Sequence, residues 1–203
     1  MVKHVFVRKN KKVLSINLSR VGSIMKILNV YYSLTGNTEK VALKIGEAAQ
    51  ESGHSVETLK IARSDTVLDV LDFDYVFAGS GVYGQMPGEP LVGAFRRTLQ
   101  RYSEKGEVKP CSPRRASSKA VIYCTYGGVH TGVNEAIPAV KFMGQPFDHL
   151  GFTIVAEWYI VGEYNLERQR EHSVVGRLGD IRGRPNKKDL QEVAERVKGI
   201  LKI

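Results

Sequence analysis

Between residues 26 and 51, the apolar residues follow first the pattern of a strand and then that of a helix. Residues 26–32 form a short apolar run, which predicts a buried strand. Residues 37–51 follow with apolar side chains at helical spacing, namely Val41, Ala42, Ile45, Ala48 and Ala49. This spacing predicts an amphipathic helix, and Gly53 is a suitable residue to end it.

The alternation of strands and helices continues to the C-terminus. Further strands are predicted at residues 54–61, 75–78, 120–125 and 152–160. Further helices are predicted at residues 90–100, 134–143 and 187–201. Short apolar strands that alternate with helices are typical of a parallel sheet covered on both faces. The sequence therefore predicts an α/β fold whose ligands bind at the carboxyl ends of the strands.

Three segments lie outside this alternation, at residues 1–24, 105–119 and 161–186. We divide the chain into an N-terminal basic extension, residues 1–24, and one domain, residues 25–203. Polar and apolar residues alternate in residues 2–7 and again in 12–18, so an added hairpin is the alternative for the extension.

Composition and charge narrow the class of partner. The chain has 203 residues, of which 42% are hydrophobic and 25% charged, as in ordinary globular proteins. Its net charge is +9, but residues 1–24 contain six basic residues and no acidic one. The rest of the chain carries only +3, so its charge does not call for a nucleic-acid partner.

The sequence gives little support for a membrane-spanning segment or a metal site. No apolar run approaches the about 18 residues that span a bilayer, and the best N-terminal candidate is interrupted by Asn17 and Arg20. We therefore predict no membrane partner. Cys111 and Cys124 form neither a C-x-x-C motif nor a metal-ligand cluster, which favours the reducing cytoplasm and no metal site.

A polar loop joins the first strand to the first helix. It consists of Ser33, Leu34, Thr35, Gly36, Asn37 and Thr38. The unpaired amides of the first helical turn point toward the carboxyl end of the strand and bind an anion there. The alternative is that Thr35 or Asn37 merely caps the helix. One cap does not require four polar residues and a glycine, so we favour an anion site.

Neither common nucleotide motif accounts for this loop. It lacks the Gly-Lys-Ser/Thr ending of a P-loop, and no G-x-G-x-x-G opens the first helix. A literal G-x-G-x-x-G occurs at residues 79–84, after the third predicted strand. The residues that follow it do not lead directly into a helix, and no strand that ends in an acidic residue follows at the expected distance. We therefore reject a dinucleotide fingerprint.

The loop at residues 33–38 resembles the S/T-x-T-G-N-T phosphate loop of the flavodoxin family. The resemblance extends in element order from Met25 to the C-terminus. It implies a flavodoxin-like three-layer sandwich with a five-stranded parallel sheet of order 2-1-3-4-5. It also implies that the bound anion is the phosphate of FMN.

The same resemblance places two further loops beside the flavin ring. One follows the third strand and contains Ser80, Gly81, Val82, Tyr83 and Gly84. The other follows the fourth strand and contains Thr125, Tyr126, Gly127 and Gly128. Tyr83 and Tyr126 are then candidates to stack on the ring. The alternative is that the glycines only make turns, with the tyrosines packed at their rims.

Other candidate residues are less specific. His130 is the one histidine beside the proposed ring site and is a candidate proton donor, although most histidines in loops are simply solvated. Trp158 and Tyr159 fit a flavin site, a dimer contact or the core equally well.

The electron partner is the open question. Flavodoxins that carry single electrons are typically acidic, and this chain departs from that pattern. Arginines recur in two groups, Arg96, Arg97 and Arg101 in the first and Arg168, Arg170, Arg177, Arg182 and Arg184 in the second. They form either a solvated basic face or, in part, a rim that admits the phosphate of NAD(P)H or an acidic protein partner.

Two functions follow from these observations. We predict an FMN-dependent oxidoreductase that acts on a nicotinamide cofactor or a quinone. The alternative is a non-enzymatic electron-transfer protein that serves a redox partner. The two long insertions are compatible with a homodimer.

Overall fold

A parallel sheet of five strands forms the centre of the molecule. The computed structural model describes residues 8–9, 12–13 and 23–202. The strands are β1 (Lys26–Tyr32), β2 (Ser55–Lys60), β3 (Tyr75–Tyr83), β4 (Lys119–Tyr126) and β5 (Thr153–Val161). Their spatial order is β2-β1-β3-β4-β5, which confirms the order 2-1-3-4-5. A sixth strand of two residues, Met86–Pro87, pairs antiparallel with the end of β3.

Helices cover both faces of the sheet. They are α1 (Asn37–Glu51), α2 (Glu89–Glu104), α3 (Ile137–His149), the short α4 (His172–Val175) and α5 (Lys187–Ile200). The buried residues of α1 and α5 share one hydrophobic core, and those of α2 and α3 share the core on the opposite face. The predicted three-layer sandwich is therefore confirmed. None of the described helices is long and apolar enough to cross a membrane.

The third strand is longer than its apolar run indicated. We predicted a strand at residues 75–78 with a loop from Gly79 onward, but β3 continues through Tyr83 and the chain turns at Gly84 and Gln85. The physical reason is close packing. A Cβ atom built on Gly79 would lie 2.1 Å from the ring of Tyr123, so this glycine makes room for a core side chain.

Two other boundaries differ from the prediction. The helix predicted at residues 134–143 is a 3₁₀ turn (Gly132–Glu135) followed by α3, which runs on to His149. Near the N-terminus, Arg8–Lys9 pairs antiparallel with Lys12–Val13. The rest of the alternative hairpin lies outside the described residues, and the division into an extension and a domain remains a prediction.

Candidate functional site

A cavity of about 480 Å³ lies at the carboxyl edge of the sheet. Its walls come from the connections that follow β1, β3, β4 and β5, because the carboxyl ends of parallel strands meet at one edge. This volume falls in the range of small-molecule sites, about 300–1,000 Å³. A groove of about 550 Å³ between α1 and α5 is larger, but it is an open surface between two helices and shares no lining residue with the cavity at the strand ends.

The first wall is the loop at residues 33–38. Helix α1 begins after Gly36, whose φ of 93° is left-handed and suits a residue without a side chain. Among the described residues no side chain caps this helix, so the alternative in which Thr35 or Asn37 caps it is wrong. The Gly36 N–H donates to the Ser33 hydroxyl at 3.1 Å. The remaining first-turn amides are left for an anion.

A buried pair of hydroxyl groups ties this loop to the next wall. The Thr38 and Thr125 hydroxyls lie 2.8 Å apart. Both residues line the cavity and both are buried. The start of α1 and the end of β4 are therefore held together directly under the cavity.

Tyr83 forms most of the second wall. Its hydroxyl accepts a hydrogen bond from the Leu34 N–H at 3.1 Å, and its ring meets Tyr32 edge to face with 5.8 Å between ring centres. The ring lies over Gly81, where a Cβ atom would come within 2.6 Å of the Tyr83 hydroxyl. Burial raises the Tyr83 pKa, so the phenol is neutral at ordinary pH.

The third wall is the end of β4 with the loop behind it. Thr125, Tyr126, Gly127 and Gly128 all line the cavity. Tyr126 is only 9% exposed and belongs to the core shared with α2 and α3, so its ring offers little surface for stacking. Gly127 allows a close approach, since a Cβ atom there would lie 2.1 Å from the ring of Tyr164.

Several predicted residues lie elsewhere. Ser80 is fully buried beneath the wall, where its hydroxyl accepts from the Gly88 N–H at 2.9 Å and donates to the Gly81 carbonyl at 2.8 Å. Trp158 packs on Phe77 in the core, at 5.8 Å between ring centres. The Tyr159 hydroxyl donates to Glu157, outside the cavity. Gly36 does not line the cavity but shapes the first wall.

Except for Arg168, the fourth wall of the cavity was not anticipated from the sequence. It follows β5 and consists of Gly162, Glu163, Tyr164, Asn165, Leu166, Arg168, Gln169 and His172. The ring of Tyr164 meets His172 edge to face at 5.4 Å, and the Tyr164 N–H donates to the Ser173 hydroxyl at 2.9 Å. These residues carry no periodic pattern. The one feature of the sequence that points to a place at the cavity is that they directly follow the last strand of a parallel sheet.

Comparison with known proteins identifies the family. The sequence profile of the flavodoxins matches residues 30–195. The chain belongs to the flavodoxin family. Comparison with curated protein sequences finds no match.

Solved flavodoxin structures share the fold. Flavodoxin 1 and flavodoxin 2 from Bacillus cereus are 13% and 16% identical to this chain, each with a TM-score of 0.59. The aligned regions cover 87% and 88% of this chain and 97% and 99% of theirs. A flavodoxin from the domain Archaea is 17% identical, with a TM-score of 0.52, over 88% of this chain and 97% of its own. At such identities the likeness concerns the fold.

FMN is the cofactor of this flavodoxin-family chain, and the residues at the cavity fit it. A helix start without a side-chain cap suits the phosphate, with the Thr35 and Thr38 side chains beside it. Tyr83 supplies an aromatic face, and the backbone of Gly127 and Gly128 lines the cavity. This is the donor set that an anion joined to an aromatic ring system requires.

Charged side chains of both signs line the cavity. The Glu135 carboxylate accepts hydrogen bonds from the His130 and Thr131 N–H groups, both at 2.7 Å. The Glu163 carboxylate accepts from the Gly183 N–H at 2.9 Å. The Arg168 guanidinium lines the same cavity. Among the described residues of this flavodoxin-family member, two carboxylates and one guanidinium therefore surround the site.

Seven of the eight predicted arginines do not line the cavity. Arg101, Arg182 and Arg184 are paired with Asp69, Asp180 and Asp189. Arg96, Arg97, Arg170 and Arg177 are exposed and do not line the cavity. Arg168 is the one arginine of the predicted groups that lines the cavity of the described chain. His130, the candidate proton donor, is exposed at the rim.

Proposed function

We propose that this flavodoxin-family protein is a cytoplasmic FMN oxidoreductase that moves electrons between its flavin and a nicotinamide cofactor or a quinone. The Arg168 guanidinium on the cavity wall carries the proposal. An acidic site disfavours negative charge on a reduced flavin, whereas here both carboxylates accept hydrogen bonds from backbone N–H groups and a guanidinium lines the same cavity. Such surroundings favour accepting two electrons from a small-molecule donor.

The residues divide the work of holding the cofactor. The amides of the first helical turn at residues 37–39, with the Thr38 hydroxyl, bind the phosphate at the start of α1. Tyr83 covers one side of the ring, and the Gly127–Gly128 backbone faces its edge. When bound, FMN supplies the hydride and electron chemistry, and the protein sets orientation, charge and access.

Arg168 is the residue that we assign to the small-molecule substrate. It is exposed at the cavity wall, and no salt bridge engages it in the described chain. A guanidinium at this position suits the phosphate groups of a nicotinamide cofactor. We expect Arg168→Gln to raise the KM for NADPH or NADH about tenfold with little change in kcat. Arg170→Gln is the matched control, because Arg170 is exposed in the same segment but does not line the cavity.

The deciding experiment is anaerobic reduction of the FMN-saturated protein. Rapid loss of visible flavin absorbance on adding NADH or NADPH, and its return on adding a quinone, are the expected results. If neither nucleotide reduces the flavin while dithionite does, the oxidoreductase proposal fails. A colourless protein after saturation with FMN and removal of free flavin would contradict the cofactor itself.

A non-enzymatic electron carrier is the second candidate. Leu34 is 57% exposed at the mouth of the cavity, and Met86 is 38% exposed on the strand beside it. Exposed apolar side chains at the rim of a site suit contact with a partner protein. Reduction by dithionite alone, followed by electron transfer to a second redox protein, would favour this function.

A further inference from the structure

Residues 162–165, which we call the strap, touch two separate walls of the cavity. The Gly162 N–H donates to the Tyr126 carbonyl at 2.9 Å. The Tyr164 ring covers Gly127, and its hydroxyl accepts from the Val129 N–H at 3.4 Å. Asn165 reaches in the other direction, to the loop at residues 33–38. The strap therefore joins the phosphate loop to the loop behind β4.

The strap holds the side chain of Asn37 at both of its polar atoms. Asn37 Nδ2 donates to the Glu163 carbonyl at 2.8 Å, and Asn37 Oδ1 accepts from Asn165 Nδ2 at 3.1 Å. A free asparagine near a helix start tends to fold over the first-turn amides and accept their hydrogen bonds. Held in this way, Asn37 does not compete with a phosphate for those amides.

The strap also fixes the peptide bond between Thr35 and Gly36. Asn165 Nδ2 donates to the Thr35 carbonyl at 3.2 Å, while the Gly36 N–H at the other end of the same peptide donates to the Ser33 hydroxyl. Glycine permits this peptide to rotate, and rotation would turn the carbonyl oxygen toward a bound anion. Because both ends are engaged, the Thr35 carbonyl oxygen stays turned toward Asn165 and is not free to rotate toward an anion.

We propose that Asn165 is a positioning residue for the FMN phosphate. It acts through Asn37 and through the Thr35 carbonyl, and it keeps the start of α1 open to an anion. The proposal rests on FMN being the cofactor and is independent of any reaction with NAD(P)H.

The test compares FMN with riboflavin, which has the same ring and no phosphate. We expect Asn165→Ala to weaken FMN binding about tenfold, since two hydrogen bonds that shape the phosphate loop are lost. Riboflavin affinity should stay at the wild-type value. Both dissociation constants are measured by titrating the apoprotein and following the quenching of flavin fluorescence. Asn134→Ala, an exposed residue that does not line the cavity, is the control and should change neither.

Two results would overturn the proposal. One is an FMN affinity equal to that of the wild type. The other is an equal loss of FMN and riboflavin affinity, which would mean that Asn165 only supports the fold. Should Asn165→Ala not give a folded protein by circular dichroism, Asn165→Ser takes its place under the same two criteria.

Discussion

Two helices of this molecule begin in opposite ways. Helix α5 begins with a complete capping box, in which the Asn186 side chain accepts from the Lys188 and Asp189 N–H groups and the Asp189 carboxylate accepts from the Asn186 N–H. Arg184 then pairs with the Asp189 carboxylate. Helix α1 begins after Gly36, and among the described residues no side chain caps it.

The difference separates a structural helix start from a functional one. In α5 the chain satisfies its own amides, and the start contributes to stability whether or not a ligand is present. In α1 no side chain caps the helix among the described residues, and we propose that its amides bind the FMN phosphate while the strap keeps Asn37 from covering them. We expect substitutions at α1 to change cofactor affinity and substitutions at α5 to change stability.

The largest expected effect comes from placing a negative charge at the uncapped start of α1. Thr35→Asp puts a carboxylate on the wall where the phosphate binds, so FMN affinity should fall about 100-fold, or about 2.7 kcal/mol. Thr35→Asn is the matched control, because asparagine has nearly the same shape as aspartate and no charge. This variant should lose far less FMN affinity. Fluorescence titration of each apoprotein measures the effect. Equal losses in the two variants would contradict a phosphate at this position.

A smaller effect is expected from removing the cap at α5. Asn186→Ala should lower the free energy of unfolding by about 1 kcal/mol, because two amides lose their acceptor. Urea unfolding of the apoprotein measures this loss, and FMN titration of the same variant should give the wild-type affinity. A clear loss of FMN affinity without a loss of stability would show that the two helix starts are not separate in function.

The smallest effect concerns a charge in the first turn of α1. The hydrogen bond from Lys60 lowers the pKa of Glu39 below its usual value, and Tyr31 adds a second hydrogen bond. The pKa of Glu39 is lower in the folded state than in the unfolded state. The stabilisation is therefore present at pH values above the unfolded-state pKa and is lost as the pH falls through the folded-state pKa. Because the pair is half exposed and screened by solvent, we expect only about 0.3 kcal/mol.

Glu39→Gln is the check on that last expectation. Urea unfolding at neutral pH and at a pH below the usual glutamate pKa should show a slightly smaller acid-induced loss of stability in the variant than in the wild type. Identical losses in both proteins would mean that the Glu39 contacts contribute nothing measurable.

The layered fold could be predicted from the sequence because its buried positions recur with the periods of strands and helices. The predicted β1 and α1 match the observed Lys26–Tyr32 and Asn37–Glu51, since each buries a regular apolar pattern, interrupted in β1 by Asn29. The pattern failed at the end of β3. There the glycines resemble a loop in sequence, but Gly79 leaves room for Tyr123 and Gly81 for Tyr83.

The site was only partly predictable. Residues 33–38 are adjacent in sequence, so their shared chemistry is visible as a motif. The contacts of Asn165 and Glu163 with that loop span 126 to 130 positions, and no local pattern reports such a pairing. Arginine-rich composition drew attention to residues 161–186 as a charged segment, whereas its closest contacts with the site are made by asparagine, tyrosine and glycine.

The tight fit at Gly162 offers a way to sort family members by sequence alone. A Cβ atom there would come within 2.9 Å of Asn37 Nδ2, so a chain that fastens its loop in this manner needs glycine immediately after the fifth strand. It also needs a tyrosine two positions later and an asparagine at the third, as Gly162, Tyr164 and Asn165 stand here. We expect this short fingerprint, combined with the motif at residues 33–38, to distinguish flavodoxin-like chains that brace their phosphate loop from those that leave it unsupported.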